Sequence, residues 1–463
     1  MSDGNCYDAV IIGAGMSGLA AGIRLAQFDK SVCILEQHTV PGGLNSFYHQ
    51  RGRNYDVGLH AMTNFTPKGT RRGPLFRLLR HLRMSWDELG LIQQLGSGVA
   101  FPGITLEFSN HFSLLESQIA EKFPSQIDKF RKMVASLADY DKIGTGRAGG
   151  SARGFVNSWL TDPLLTDMLL CPIFFYGGSR EADMDFTQFC IMFRSIFLEG
   201  FARPYEGIRP LLSNLLKKFK ALGGELRYRA KVKQIVSRHG EAAMILLSDG
   251  TEIRAKQFLS SAGWRETMRL CGLEEPEQEL APGKLSFVET ISVLDRDPKK
   301  LGHCKTVLFF NDSDRLTYGK PDSLVDIRSG TISSPNNFDY GRPLREGQIR
   351  ITALANFDRW AALSEKEYRI EKLKWYDRLI GSAVRFIPDF RGNIIENDMF
   401  TPLTVTRFTG KEGGAIYGAA DKKYDGLTPL RNLYVCGTDQ GMVGIVGAIV
   451  SGITIANRYV LGQ

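Results

Sequence analysis

The sequence predicts an α/β fold in which a parallel sheet is opened by a βαβ unit and completed by segments far downstream. Three observations predict it. Residues 9–36 run strand, glycine turn, helix, strand, and the turn reads Gly13-Ala14-Gly15-Met16-Ser17-Gly18. Residues 434–452, YVCGTDQGMVGIVGAIVSG, present a strand, a glycine-rich turn and an apolar helix a second time. Between the two, helix-patterned and strand-patterned stretches follow one another with no internal repeat, low-complexity tail or flexible linker.

Each element has its own warrant. Ala9–Ile12 is a short apolar run ending in Gly13, the pattern of a buried parallel strand. Met16–Phe28 carries apolar residues at helical spacing, and Ser31–Leu35 is a second short strand ending in Glu36. Val57–Trp86 contains no acid, and Lys68, Arg71, Arg72, Arg77, Arg80 and Arg83 alternate there with Leu75, Phe76, Leu78, Leu79 and Leu82. This is a basic amphipathic helix, either a solvated face over a core-facing stripe or a helix resting on an anionic membrane surface. The apolar stretches 164–178 and 186–201 are interrupted by Asp167 and Arg194 and fall short of about 20 residues, so neither suits a membrane span. They line a greasy cavity or form a buried helical layer. Residues 210–224 form an amphipathic helix stopped by Gly223 and Gly224. Residues 225–263 and 285–355 read as strands, 363–386 as a charged helix, and 400–440 as strands and turns.

A chain of 463 residues, 43% hydrophobic, is long enough for about three domain-sized units and a large core. Its formal charge of +8 is modest for this length. No basic-aromatic repeat accompanies it, so no nucleic-acid partner is predicted. Seven cysteines are scattered without a CxxC pair. That argues against zinc or dithiol chemistry, and no metal site is predicted; buried free thiols in a reducing compartment are. The N-terminus has neither a basic nor an apolar leader region, so no signal peptide is read. A cytoplasmic location follows, with peripheral contact to the inner face of a membrane as the extension that the basic helix invites.

The first glycine turn carries specific chemistry. In GxGxxG after a strand and before a helix, Gly13 permits the tight turn, Gly15 lets a pyrophosphate approach the backbone, and Gly18 lets helix and strand pack closely. The helix N-terminus offers free N–H groups to phosphate. Glu36, about twenty residues on, is placed for ribose hydroxyls. Gly144–Gly149 also fits the spelling but follows a charged helical stretch with no strand before it, and reads as a loop.

Pro41-Gly42-Gly43-Leu44-Asn45-Ser46 and Tyr55-Asp56-Val57-Gly58-Leu59-His60 follow. With these the chain resembles FAD-dependent oxidoreductases of the phytoene desaturase type, relatives of carotenoid isomerases, retinol saturases and, more distantly, monoamine oxidases. Leu44 stands where that group has arginine. Further matches fall in order: Tyr205–Ile208, Lys231–Lys233, Ser260–Gly263, Gly414–Gly418 and the C-terminal motif. The resemblance implies a Rossmann-type FAD domain built from residues 1–65, 205–275 and 405–463. A discontinuous α+β domain of residues 66–204 and 276–404 would bind substrate and touch a membrane. It places FAD against Gly13, Ala14, Gly15, Met16, Ser17, Gly18, Glu36, Gln37, Gly43, Leu44, Gly58, His60, Val232, Gly437, Asp439 and Val446. Asp439 is expected to reach ribityl or phosphate oxygens, and the helix starting near Val446 to favour negative charge on the reduced flavin.

The terminal stretch is therefore read as the far half of the first site, not as an anchor or a second nucleotide site. No Ser/His/Asp set, metal cluster or acid pair stands out. His60 is the candidate catalytic residue, as a proton donor or polar group beside the flavin, with a structural histidine as the alternative. The implied function is hydride transfer between flavin N5 and a hydrophobic polyene, isoprenoid or other long-chain lipid, in desaturation or saturation. The acceptor is oxygen, a quinone or a protein. The rivals are a redox-neutral cis–trans isomerase, a flavin amine oxidase and a non-catalytic flavin- or lipid-binding protein.

Overall fold

The computed structural model describes residues 6–138, 150–273 and 283–462. The glycine spelling at 144–149 lies outside the described residues.

The N-terminal strand β1 (Tyr7–Ile12) is buried on both faces from Ala9 to Ile12, an unbroken apolar run, with Asp8 half-buried at its start. It is joined through α1 (Met16–Ala26) to β2 (Val32–Leu35). Three distant strands complete this sheet: β3 (Glu225–Arg227), β4 (Ala255–Ser260) and β5 (Leu433–Val435). The order is β5-β4-β1-β2-β3, and all neighbours are parallel. Connections leave β1 toward both sides, so the carboxyl end of β1 is the switch point where ligands bind in such sheets.

A second, seven-stranded sheet is built from 97–108, 286–311, 329–333, 347–355 and 394–400. All of its pairs are antiparallel except Val307–Asn311 beside Ser97–Phe101. Helix α2 (Gly73–Leu82) covers part of the first sheet's core, and its Leu75, Leu78, Leu79 and Leu82 are buried. The apolar stripe of the basic helix thus faces protein, and Arg71, Arg72, Arg77, Arg80 and Arg83 are exposed.

The two greasy stretches become α3 (Pro163–Gly177) and α4 (Phe186–Phe193), the latter continued by a π-turn at Arg194–Leu198. Phe174, Phe189, Phe193 and Phe197 pack into one aromatic core with the second sheet. Arg194 is 40% exposed and pairs with Glu199 at 3.0 Å. It is the snorkelling arginine of the plainer reading. Helix α5 (Ile208–Ala221) packs on α1, α6 (Trp264–Leu270) follows β4, and the charged helix is α7 (Glu365–Ala383).

Residues 400–440 differ from the expected strands: only β5 forms there. Pro402–Thr409 is helical, opened by a Thr401/Thr404 capping box with Pro402 in its first turn and closed by Gly410 at φ 73°. Five of the seven cysteines are buried and free, but Cys6 and Cys304 are exposed.

The last helix, α8 (Gly444–Ile455), lies along α1. The stretch Gly444–Leu461 is long and apolar enough to cross a membrane by composition, yet 44% of it is buried inside the molecule.

Candidate flavin site at the meeting of the two chain ends

The turn after β1 is fixed by its glycines. Gly13 adopts φ +93°, and a Cβ there would lie 2.5 Å from Ser261 Oγ. A Cβ at Gly18 would lie 2.1 Å from Gly13 O, which is why helix and strand can touch. A Cβ at Gly15 would meet nothing within 4 Å. That open face lies beside the first turn of α1, whose N-cap Gly15 supplies no side-chain acceptor. The N–H groups of Met16, Ser17 and Gly18 are thus placed as a phosphate cradle.

Glu36 closes the nucleotide end. It is 6% exposed. Its Oε2 accepts from Ala14 N and its Oε1 from His38 N, both at 2.9 Å. Each oxygen keeps a lone pair, the capacity a ribose diol needs. Gln37 follows, and a Cβ on Gly410 would stand 3.9 Å from its Nε2. Gly42 N donates to Ala14 O at 2.9 Å. That bond lays the Gly43–Asn45 turn, with Leu44, against Gly15. Ala230 N donates to Glu36 O at 2.9 Å and brings Val232 to the same end of the sheet.

The C-terminal motif arrives from the other side. A Cβ on Gly437 would sit 3.2 Å from Ser17 Oγ, and one on Gly452 2.0 Å from Ser17 O. Arg24 Nε donates to Asn457 Oδ1 at 2.7 Å across 433 residues of sequence. Helix α8 also starts without a side-chain cap, and a Cβ on its Gly444 would be 3.8 Å from Thr63 Oγ1. Its uncapped first turn, with buried Val446, therefore faces the segment that carries Gly58 and His60.

Asp439, expected to reach ribityl or phosphate oxygens, is buried and already accepts two backbone hydrogen bonds. Its Oδ2 accepts from Trp264 N at 2.7 Å and its Oδ1 from Ala419 N at 2.8 Å. Buried Lys411 stands 3.5 Å from Oδ2. Burial alone would raise this carboxyl, but Lys411, Lys422 and the two N–H donors bring it down to about 2. The side chain ties α6 and the 411–420 loop to the C-terminal motif.

The third wall is a buried charge cluster that the sequence did not announce. Arg203 donates to Asp56 Oδ2 at 2.7 Å, to Leu59 O at 2.9 Å and to the Tyr340 hydroxyl at 2.9 Å. Both terminal nitrogens of Arg350 donate to Asp56 O at 3.1 Å, and its Nε pairs with Glu289. A Cβ at Gly207 would be 2.0 Å from Asp56 Oδ2, so this glycine makes room for the carboxylate. His60 Nδ1 lies 3.7 Å from the same oxygen. His60 holds a left-handed backbone at φ 53° and is 7% exposed. Both its ring nitrogens and Asp56 Oδ1 are buried without a hydrogen-bond partner. A strained, buried and polar group without partners is a mark of a functional site. The one signal for Arg203 in the sequence was a cation between Phe201-Ala202 and Pro204.

These features fit FAD: an open glycine cradle, an uncapped helix start, a ribose-placed carboxylate and orphaned polar atoms at the far end. Among the described residues, no cluster of histidine, cysteine and acids suits a metal ion. The fold and the site together are those of an FAD-dependent oxidoreductase.

Comparison with known proteins narrows this class. A family described as "NAD(P)-binding Rossmann-like domain" matches residues 11–82. The chain is 24% identical to the chloroplastic prolycopene isomerase of Arabidopsis thaliana, over 98% of this chain and 82% of that protein. It is 22% identical to the all-trans-retinol 13,14-reductase of Danio rerio, over 96% of this chain and 85% of that one. An oxidoreductase from Methanosarcina mazei shares the fold at TM-score 0.66 and 17% identity, over 96% of this chain and 99% of its own. The resemblance to the phytoene desaturase type is thus borne out along the chain.

Proposed function

We propose that the protein transfers hydride between a long hydrophobic polyene or isoprenoid and FAD, in desaturation or saturation. The observation that carries this is similarity over nearly the whole chain to proteins named for conversions of conjugated polyenes. Bound FAD supplies the hydride acceptor or donor at N5. The chain's residues do the rest. The first turn of α1 and Glu36 anchor the nucleotide, and Gly437 and the start of α8 close over its other half. Asp56, held by Arg203, faces His60 Nδ1. A proton kept there leaves Nε2 to take the proton lost from the carbon next to the one that loses hydride. In saturation the same atom returns it.

The test is product mass. FAD-loaded protein is given a conjugated polyene under anaerobic and aerobic conditions. A two-hydrogen change is expected. His60→Asn, which tolerates the left-handed backbone, should keep FAD and lose most turnover. Unchanged mass with altered geometry would favour the redox-neutral isomerase, a reading that the prolycopene isomerase similarity supports. No reduction or conversion of any polyene would sink both. The amine oxidase reading has less support. Tyr176 stacks on Phe201 and Tyr417 meets Phe287 edge-on, so both phenols take part in the aromatic core.

We infer as well that the exposed arginines of α2 meet an anionic membrane. Lys218 Nζ donates to Arg83 O at 2.7 Å and adds its charge to this face. Because the apolar stripe is buried in protein, the contact would be electrostatic only. Arg77→Glu with Arg80→Glu is expected to weaken binding to phosphatidylserine vesicles roughly tenfold or more at low salt. Unchanged binding would refute the contact.

A further inference from the structure

Helix α7 packs on the seven-stranded sheet: its Trp375, Tyr376, Leu379 and Ile380 share one buried core with Ile349 and Ile351 of the sheet. Its outer side carries Ile370, 55% exposed, and Leu373, 65% exposed. Among the described residues these are the two most exposed large apolar side chains, and no other such pair shares a helix or strand. Apolar residues scattered singly over a surface are ordinary, whereas a stripe of them calls for a partner. Lys366, Ile370, Leu373 and Asp377 stand at i, i+4, i+7 and i+11. At about 100° per residue the four lie within an arc of about 60°, the seam spacing of a helix that pairs with another helix.

The order of these four residues selects the partner. Take an antiparallel pair of α7 helices with a twofold axis between residues 371 and 372. Ile370 then meets Leu373 of the partner subunit, and Lys366 meets Asp377 of the partner subunit. By symmetry each contact is made twice. A parallel pair would set lysine against lysine and aspartate against aspartate. Lys366 and Asp377 are exposed, and among the described residues neither has an ion-pair partner. The charges beside the seam are already satisfied within the chain. Arg369 pairs with Glu365, Lys374 pairs with Glu371 at 2.9 Å, and the Arg378 guanidinium lies 4.7 Å from the centre of the Trp375 ring. The two ions left over are the two that an antiparallel seam joins.

We propose that the outer face of α7 is a docking surface for a second copy of this chain, through an antiparallel α7 pair closed by two Lys366–Asp377 ion pairs. It does not rest on the substrate reading above. The test is sedimentation equilibrium of the FAD-loaded protein at low salt over a range of concentrations, where a reversible dimer is expected. Lys366→Glu and Asp377→Lys, made separately, each turn both ion pairs into like-charge contacts and should weaken the dimer about tenfold. The two changes combined exchange the charges and should restore it to within about threefold. Ile370→Ser with Leu373→Ser should abolish it. All four positions are exposed, so FAD content and urea midpoints should match those of the unaltered protein. A monomer at every concentration, single reversals without effect, or a charge exchange that fails to restore the dimer would overturn the proposal. It would also be overturned if no dimer forms and the serine variant loses binding to phosphatidylcholine vesicles, which would assign the stripe to a lipid surface.

Discussion

Replacing Gly452 with alanine should separate the two ends of the chain and empty the protein of FAD. The added Cβ would lie 2.0 Å from Ser17 O, 2.8 Å from Ser17 C and 3.1 Å from Ala21 N. All three are backbone atoms of α1, so no side chain can rotate away. One helix must move. The first turn of α1 carries the N–H groups placed for phosphate, and Ser17 also abuts Gly437 of the opposite wall. A displacement there is a displacement of the site. Overpacking of this kind costs about 1–3 kcal/mol, and more where only backbone can yield. The expected result is a lower midpoint in urea and a purified FAD-to-protein ratio well below that of the unaltered chain. Gly381→Ala is the control: it sits in α7 with nothing within 4 Å of its Cβ position. It should be neutral or add up to about 1 kcal/mol. If Gly452→Ala matches this control in both readings, the closure of the ends is not what holds the cofactor.

Asp56→Asn should be nearly as damaging, through charge rather than space. Arg203 is 7% exposed, and Asp56 is its carboxylate partner. Breaking a buried pair by neutralising one member costs about 3–5 kcal/mol, because the other charge is left uncompensated. Asp56→Asn combined with Arg203→Met should therefore cost less than the sum of the single changes. The pH dependence has a definite sign. Burial would raise the Asp56 carboxyl, but His60, Arg203 and Arg209 depress it well below the usual carboxylate range. Its contribution is present above the unfolded value of about 3.9 and is lost as pH falls toward the depressed folded value. Asp439, at about 2, acts in the same direction. Urea midpoints measured from pH 6 to pH 2 should fall steeply below about pH 4, and less steeply in Asp56→Asn. Parallel acid limbs would show that Asp56 is not depressed.

The parts of this site that were legible in the sequence are those made by local chain geometry. Gly13, Gly15 and Gly18 specify a turn among themselves, and Glu36 ends the next strand. What was not legible depends on partners brought from afar. Arg203 lies 147 residues from Asp56, and Arg350 lies 294 residues from it. No periodicity encodes such pairs. Asp439 shows the same limit: its place in the motif was readable, but its two N–H donors, on Trp264 and Ala419, were not. Helix α2 was recognisable as amphipathic, but periodicity cannot say whether protein or lipid meets the apolar face. Residues 402–409 fell within a stretch read as strands and turns, whereas the capping box and Pro402 decide for helix.

The bond between Arg24 and Asn457 also sets an order of events. Strand β1 cannot gain β4 as a neighbour until residue 260 exists, nor can the sheet gain β5 until residue 435 does. During synthesis, which adds about 5–20 residues per second, the glycine cradle thus waits many seconds for its opposite wall. Contacts of such long range also form slowly. Cofactor capture is then a late step of maturation, and a ribosome-bound chain stalled before Gly437 would hold the nucleotide motif yet fail to retain FAD.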